Sequence, residues 1–298
     1  MRNFKNVIMI MVAAMLLITS ACKKDKNDPA NNVVCLLTKI IDVYEDVDND
    51  TTLIEYNDER LPVKITYHPA MGTFHGYVEY ATIEYKDGKI SSTTDFAGGV
   101  GFYRANYTWE NSTLTVTRET LNDAGDWVTK DKVIYELDTD GLPTKSSSFS
   151  YINNEWVEFP IYSNYNWTNE NLTLSENWAR DPQVKRYDRS LNKMHQGRFA
   201  TGLLKNINDD KLGSTTYTYD DKNNQLKIFS FYWGISNMSK NNVTKAVFTS
   251  TSSSSTSDYI YEYNEKGAPA KITRNYSYTD FGGSSSETYI TLLEYNCN

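Results

Sequence analysis

Histidine is scarce, with three residues in 298, and cysteine is equally rare. So few imidazoles leave little scope for metal or general-base chemistry. Basic charge is also short: 30 Lys and Arg against 38 Asp and Glu. An acidic chain is poorly suited to nucleic acid, where phosphate neutralisation by Lys and Arg supplies most of the affinity. No serine sits in a G-x-S-x-G nucleophile elbow. The one long apolar run, Val7 to Ile18, is too short for a permanent membrane helix.

What surrounds that run gives it meaning. Arg2 and Lys5 precede it, and Thr19-Ser20-Ala21 leads from it to Cys22. A basic start, a short apolar stretch and small residues are the order of a secretory signal. A signal ending at cysteine resembles the bacterial lipoprotein lipobox. That resemblance implies residues 1–21 as signal peptide and Cys22 as the lipid-bearing first residue of the mature chain. Thr19 departs from the leucine usual in that motif. Plain secretion with an incidental Cys22 is the alternative. Removing residues 1–21 takes two basic residues and no acid, lowering the formal charge from −8 to −10. Attachment to a membrane is then expected through acyl chains, at about 0.8 kcal/mol per buried methylene, and not through a basic surface.

Residues 22–32 read as a polar tether, able to reach roughly 35 Å when extended. Lys23-Lys24-Asp25 is similar to the charged tag that directs Bacteroidota lipoproteins to the cell surface; surface and inward-facing placement both stay open. Cys35 and Cys297 remain, one near each end of residues 33–298. In an exported protein such a pair is most simply a disulfide, with two buried thiols as the alternative. Closing so long a loop would stabilise by roughly 5 kcal/mol in the chain-entropy model.

Residues 33–298 repeat. Glu55-Tyr56-Asn57-Asp58-Glu59-Arg60-Leu61-Pro62-Val63-Lys64-Ile65-Thr66 recurs as Glu262-Tyr263-Asn264-Glu265-Lys266-Gly267-Ala268-Pro269-Ala270-Lys271-Ile272-Thr273. Leu137-Asp138-Thr139-Asp140-Gly141 leads to Pro143 and Lys145 in the same frame. Tyr219-Asp220-Asp221-Lys222-Asn223 leads to Lys227-Ile228, which predicts a returning strand there. Shorter copies begin at Tyr85, Trp109 and Trp167. The wide gap between Trp167 and Tyr219 has room for one more degenerate copy. A period of this size means one supersecondary unit copied along the chain.

The unit reads as a β-hairpin. Tyr259, Tyr261 and Tyr263 alternate with Ile260 and Glu262; after the turn, Ile272, Tyr276 and Tyr278 alternate with Lys271, Thr273 and Ser277. Turns such as Lys86-Asp87-Gly88 suit the positive φ of a tight hairpin. Pro62, Pro143 and Pro269 follow their turns, where a missing N–H is tolerated at a strand start or bulge. One face is aromatic and needs cover; the other is Thr, Ser, Lys and Glu. Tyr-Asp/Asn, a polar turn with glycine and then a hydrophobic strand resembles the YD repeat of Rhs-type proteins, over residues 53–295. Together with the lipobox it is similar to Bacteroidota lipoproteins built from such hairpins. The resemblance implies an antiparallel β array and no activity. The long arrays of Rhs proteins wrap a cargo, and this chain is too short for that.

Several residues are weighed for chemistry. Asp46, Asp48 and Asp50 form D-x-D-x-D, an opening used by calcium loops, but Thr51 and Asn57 stand where glycine and glutamate would complete an EF-hand. An acidic turn explains the run equally well. His68 and His75 lack companion ligands, and His195 is remote in sequence; they read as loop histidines. Residues 179–204, carrying six Arg and Lys, read as a long loop. Ser250 to Ser257 reads as a mobile hairpin tip or edge. Gly98-Gly99-Val100-Gly101 reads as a loop. Trp109 and Trp167 occupy the repeat's aromatic slot and are expected to pack. Trp127 and Trp156, placed between strands, are the candidates for contact with a glycan or partner.

The expectation is therefore an all-β domain of about a dozen to sixteen antiparallel strands in meander order, curled into a barrel-like roll, with a sandwich as the alternative. The expected role is non-enzymatic: a lipid-anchored protein of the bacterial outer membrane that binds a glycan or another envelope protein, or acts as scaffold, with no cofactor, metal or nucleic acid. An envelope polysaccharide hydrolase using a carboxylate pair is the alternative.

Overall fold

A computed structural model describes residues 35–44, 49–69, 78–179, 210–230 and 235–297. The strands belong to the unit Cys35–Asn296. They are β1 (Cys35–Val43), β2 (Asp50–Tyr56), β3 (Pro62–His68), β4 (Tyr80–Lys86), β5 (Lys89–Ala97) and β6 (Val100–Glu110). Next come β7 (Thr113–Leu121), β8 (Trp127–Leu137), β9 (Pro143–Ile152), β10 (Glu155–Thr168) and β11 (Asn171–Ala179). The last are β12 (Asp210–Asn223), β13 (Asn241–Ser250), β14 (Ser253–Tyr263), β15 (Pro269–Asp280) and β16 (Gly283–Cys297). Each strand pairs with its sequence neighbours, and β1 meets β16, giving a closed antiparallel barrel of 16 strands. Closure removes both sheet edges, which the sandwich alternative would leave exposed.

The aromatic phase of the strands faces inward. Ile54, Ile65, Ile83 and Leu114 are buried there, with Tyr56, Tyr85, Trp109 and Tyr295 packed against them. The opposite phase faces water, where Ile260 is 56% exposed. That outer face carries paired charges from strand to strand: Lys39–Glu294, Lys64–Glu55, Arg104–Glu119, Lys145–Glu136, Lys245–Asp258 and Lys271–Glu262. A membrane-spanning barrel needs an outward apolar band, and a lysine or arginine at the bilayer midplane costs about 2–4 kcal/mol. The described outer wall is therefore a water-facing one.

A shared turn builds the hairpins. Asn57, Asp138 and Asn264 each accept, through the main-chain carbonyl, the amide three residues on, from Arg60, Gly141 and Gly267. Their side-chain oxygens accept the amides of Leu61, Leu142 and Ala268. This is why the repeat requires Asn or Asp after its aromatic. The third residue of the loop lies at φ +79° in Gly141 and +78° in Gly267, where glycine is free of strain, whereas Arg60 holds φ +64° with a side chain. Other hairpins use two-residue turns with both φ positive, as at Asp87-Gly88 and Gly98-Gly99.

A bulge follows most of these turns. Pairing skips Val63, Ser91, Thr144, Thr173, Thr244 and Ala270 on the returning strands, each time just before the aromatic slot of the partner. The skipped residue turns Pro62, Pro143 and Pro269 inward, where all three are fully buried. It also aims the slot aromatic at the previous hairpin. Tyr56 Oη donates to the Leu37 carbonyl at 2.7 Å, Tyr85 Oη to Pro62 at 3.0 Å, and Trp109 Nε1 to Ile90 at 3.0 Å. Trp167 Nε1 donates to Pro143 at 2.6 Å and Tyr219 Oη to Leu172 at 2.6 Å. In the copy at Tyr263, Tyr261 makes the corresponding bond, to the Val243 carbonyl at 2.9 Å.

Two expectations need correction. The β12–β13 connection is not a simple turn, and Lys227-Ile228 is not a returning strand. Residues 225–229 and 235–238 form short 3₁₀ turns. Asn224 caps the first by accepting the Leu226 amide, and its Nδ2 holds the Asn237 and Ser239 carbonyls. Phe229 is thereby buried among Leu37, Ile54, Ile65 and Leu114 on the opposite wall, so this segment plugs one end of the barrel. β11 pairs directly with β12, and residues 180–209, where the further copy was expected, lie outside the described residues. Ser250 to Ser257 is mostly strand, with only Thr251-Ser252 as tip. Its serines leave room for rings: Ser257 lies opposite Tyr276 and Ser255 opposite Tyr278.

Candidate functional site

Sixteen strands enclose more space than side chains can fill, and the plug occupies only one end. A cavity of about 640 Å³ remains in the lumen. β14 and β15 supply Tyr259, Tyr261, Ile272 and Arg274; β16 adds Tyr289; β1 and β2 add Asp42 and Asp50; and Tyr67 comes from β3. A second space of about 410 Å³ borders the same Tyr67 and is lined by Asp95, Tyr103, Tyr107, Arg118 and Tyr135.

Arg274 is a basic side chain on the wall of the larger cavity, and it is held by aromatic rings. Its guanidinium carbon lies 5.0 Å from the Tyr276 ring, 5.5 Å from Tyr289 and 5.9 Å from Tyr259. Its Nε donates to Ser257 Oγ at 3.1 Å. The aromatic faces hold the guanidinium by cation–π attraction. Arg118, in the smaller space, differs: it is ion-paired with Asp131. That partner and its hydrogen bond keep the Arg118 pKa raised against the opposing effect of burial.

Asp42 and Asp50 face one another across β1 and β2. Asp42 accepts from Thr291 Oγ1 at 2.7 Å, and Asp50 accepts from the Tyr44 hydroxyl at 3.1 Å. Burial, then the hydrogen bond to Asp50 and the charges of Asp50 and Asp42, push the Tyr44 phenol up to about 12, so it remains a donor at neutral pH. The lumen thus offers a cation, two carboxylates and flat aromatic surfaces, the mixture that recognises polar ring-shaped solutes.

The residues singled out in sequence distribute differently. Cys22, Asp46, Asp48, His75 and His195 lie outside the described residues. Asp50 lines the lumen and His68 stands at its margin. Among the described residues, no three His, Cys, Asp or Glu side chains gather as a metal site. Cys35 and Cys297 are both disulfide-bonded. Trp127 and Trp156 are strand residues of β8 and β10, not loop residues. Trp127 is half-buried under Arg104, 4.5 Å from its guanidinium. Trp156 is 38% exposed, with Lys132 Nζ 4.3 Å from its ring and Tyr151 at 5.0 Å. Both rings lie on the outer wall, on adjacent hairpins and away from the lumen cavity.

Arg274 was legible and overlooked. It shares the phase of Ile272, Tyr276 and Tyr278, and a charge on an otherwise aromatic face is a signal. Glu294-Tyr295-Asn296 was also overlooked. It is a third copy of Glu-Tyr-Asn, and it marks β16–β1 as the eighth unit of the barrel, paired without a connecting turn.

No family model and no curated protein matches this chain. Among solved structures it is similar to a porin-like protein from Bacteroides uniformis ATCC 8492, with 11% identity, covering 87% of this chain and 96% of that one, at a TM-score of 0.37. A porin-like protein from Bacteroides vulgatus ATCC 8482 shares 13% identity over 88% of this chain and 99% of that one, at a TM-score of 0.39. A protein with unknown function from Bacteroides fragilis NCTC 9343 shares 14% identity over 41% of this chain and 88% of that one, at a TM-score of 0.26.

Proposed function

We propose that this protein is a non-enzymatic, lipid-anchored component of a bacterial outer membrane that binds a small glycan inside its barrel. The observation that carries the reading is the lumen cavity of about 640 Å³, walled by tyrosines with Arg274, Asp42 and Asp50 among them. Pockets of about 300–1,000 Å³ with aromatic walls and a few convergent polar groups are the usual form of small-molecule sites. The charged outer wall supports attachment through the Cys22 lipid and not through lipid-facing strands. Soluble Lys23–Asn298 screened on a glycan array should retain sugars; Ala246 of β13 lines the cavity, so Ala246→Trp should obstruct it and abolish retention while Trp156→Ala leaves it intact. The reverse pattern would move binding to the outer wall and favour a protein partner. In the full chain, Cys22→Ser should release the protein from the membrane fraction; unchanged retention would overturn the anchor.

The facing pair Asp42 and Asp50 favours a second reading, hydrolysis of an envelope polysaccharide by two carboxylates. Release of reducing ends by the native protein, lost in Asp42→Asn or Asp50→Asn, would replace the binding reading with this one.

A further inference from the structure

We propose that the lumen selects an acidic sugar, a ring carrying a carboxylate, with Arg274 as the residue that reads the charge; the inference rests on the lumen glycan reading above. Arg274 is a cation on the inner wall whose described polar contact is a single neutral one, Nε to Ser257 Oγ. Among the described residues no carboxylate forms an ion pair with it, although Arg104 and Arg118 are both paired. Among the described residues no acid neutralises this guanidinium by direct contact, and Arg274 lines the cavity. A guanidinium presents parallel donors that match a carboxylate in a bidentate contact, a fit no neutral hydroxyl reproduces.

The surroundings pre-arrange that contact. Tyr259, Tyr276 and Tyr289 stand around the guanidinium at 5.0–5.9 Å and limit its rotamers, so little freedom is lost on binding. Tyr261 and Tyr67 offer further aromatic surface for a pyranose ring in the same cavity. On the neighbouring strands of the same cavity wall, Asp42 and Asp50 accept hydroxyl protons from Thr291 and Tyr44, and the Asp42 carboxylate has further lone pairs for sugar hydroxyls. They also disfavour a bare polyanion. The arrangement therefore asks for one negative charge beside hydroxyls, which is the pattern of a hexuronate.

Glucose and glucuronate differ only at C6, so they isolate the charge. Isothermal titration of Lys23–Asn298 with each sugar should show glucuronate binding at least about tenfold more tightly than glucose, the scale of one charge-assisted hydrogen bond. Arg274→Gln should reduce glucuronate to the level of glucose, and Arg274→Lys should restore part of the preference, with thermal unfolding verifying that both variants fold. Equal binding of the two sugars, unchanged in Arg274→Gln, would overturn the inference and leave the lumen glycan reading standing. Acetate competing as well as glucuronate would overturn the sugar part of it. Absence of binding by either sugar would overturn both readings together.

Discussion

The Tyr85 hydroxyl donates to the carbonyl of Pro62, 23 residues earlier, at 3.0 Å. This bond joins one hairpin to its predecessor, and its counterparts at Tyr56, Trp109, Trp167 and Tyr219 repeat it around the wall. The slot aromatic both fills the inner face and satisfies a main-chain acceptor of the neighbouring unit, which is why Tyr and Trp recur there and Phe does not.

Tyr85→Phe should therefore destabilise the barrel by about 1–3 kcal/mol, because the buried Pro62 carbonyl loses its donor. Tyr295 occupies the eighth slot, but its buried hydroxyl has no hydrogen-bond partner among the described residues. Tyr295→Phe should be neutral or stabilising, since it removes a buried, unsatisfied polar group. Urea unfolding followed by circular dichroism separates the two; equal losses would show that the hydroxyl bond contributes nothing.

Arg60 holds a left-handed conformation that its sister loops assign to Gly141 and Gly267. Arg60→Gly should raise stability by about 0.5–1 kcal/mol, the relieved backbone strain outweighing the added freedom of the unfolded chain. Gly267→Ala should lower stability by about 1 kcal/mol. The same unfolding experiment checks both signs.

Cys35 and Cys297 are each disulfide-bonded, and we propose that they pair with each other where the eighth turn would stand. Mass spectrometry of unreduced peptides should find residues 35 and 297 linked. Replacing both by alanine should cost about 2–5 kcal/mol. Free thiols at both positions in the native protein would overturn the pairing.

Alkaline pH should unfold the barrel. Burial is the first cause that pushes Tyr85, Tyr107, Tyr135 and Tyr219 up to about 12. Their unfolded pKa is about 10. The contribution is complete below pH about 10, where both states are protonated, and is lost as pH rises from 10 through about 12, where only the unfolded chain ionises. Circular dichroism and tyrosinate absorbance should change together in that window. Ionisation of most tyrosines near pH 10 with the sheet intact would show that the rings are not buried.

The sequence alone determined the hairpin and its aromatic inner face, because alternation with period two and an Asx turn are local properties. Tyr261 and Ile260 already declare opposite faces by position. Local chemistry also placed Pro62, Pro143 and Pro269 at strand starts. Only the tertiary structure decided that the array closes, since β1 meeting β16 is a contact between the most distant parts of the chain. It also decided the bulges at Val63 and its equivalents, which shift the phase so that Pro62 and Ile65, three apart, both point inward. The plug around Phe229 was illegible because a short polar segment becomes an insert only when a hollow barrel exists to receive it. Arg274 differs: its place on the aromatic phase was readable, but it became a candidate site only once three tyrosines from β14, β15 and β16 surrounded it with no ion-paired acid among the described residues.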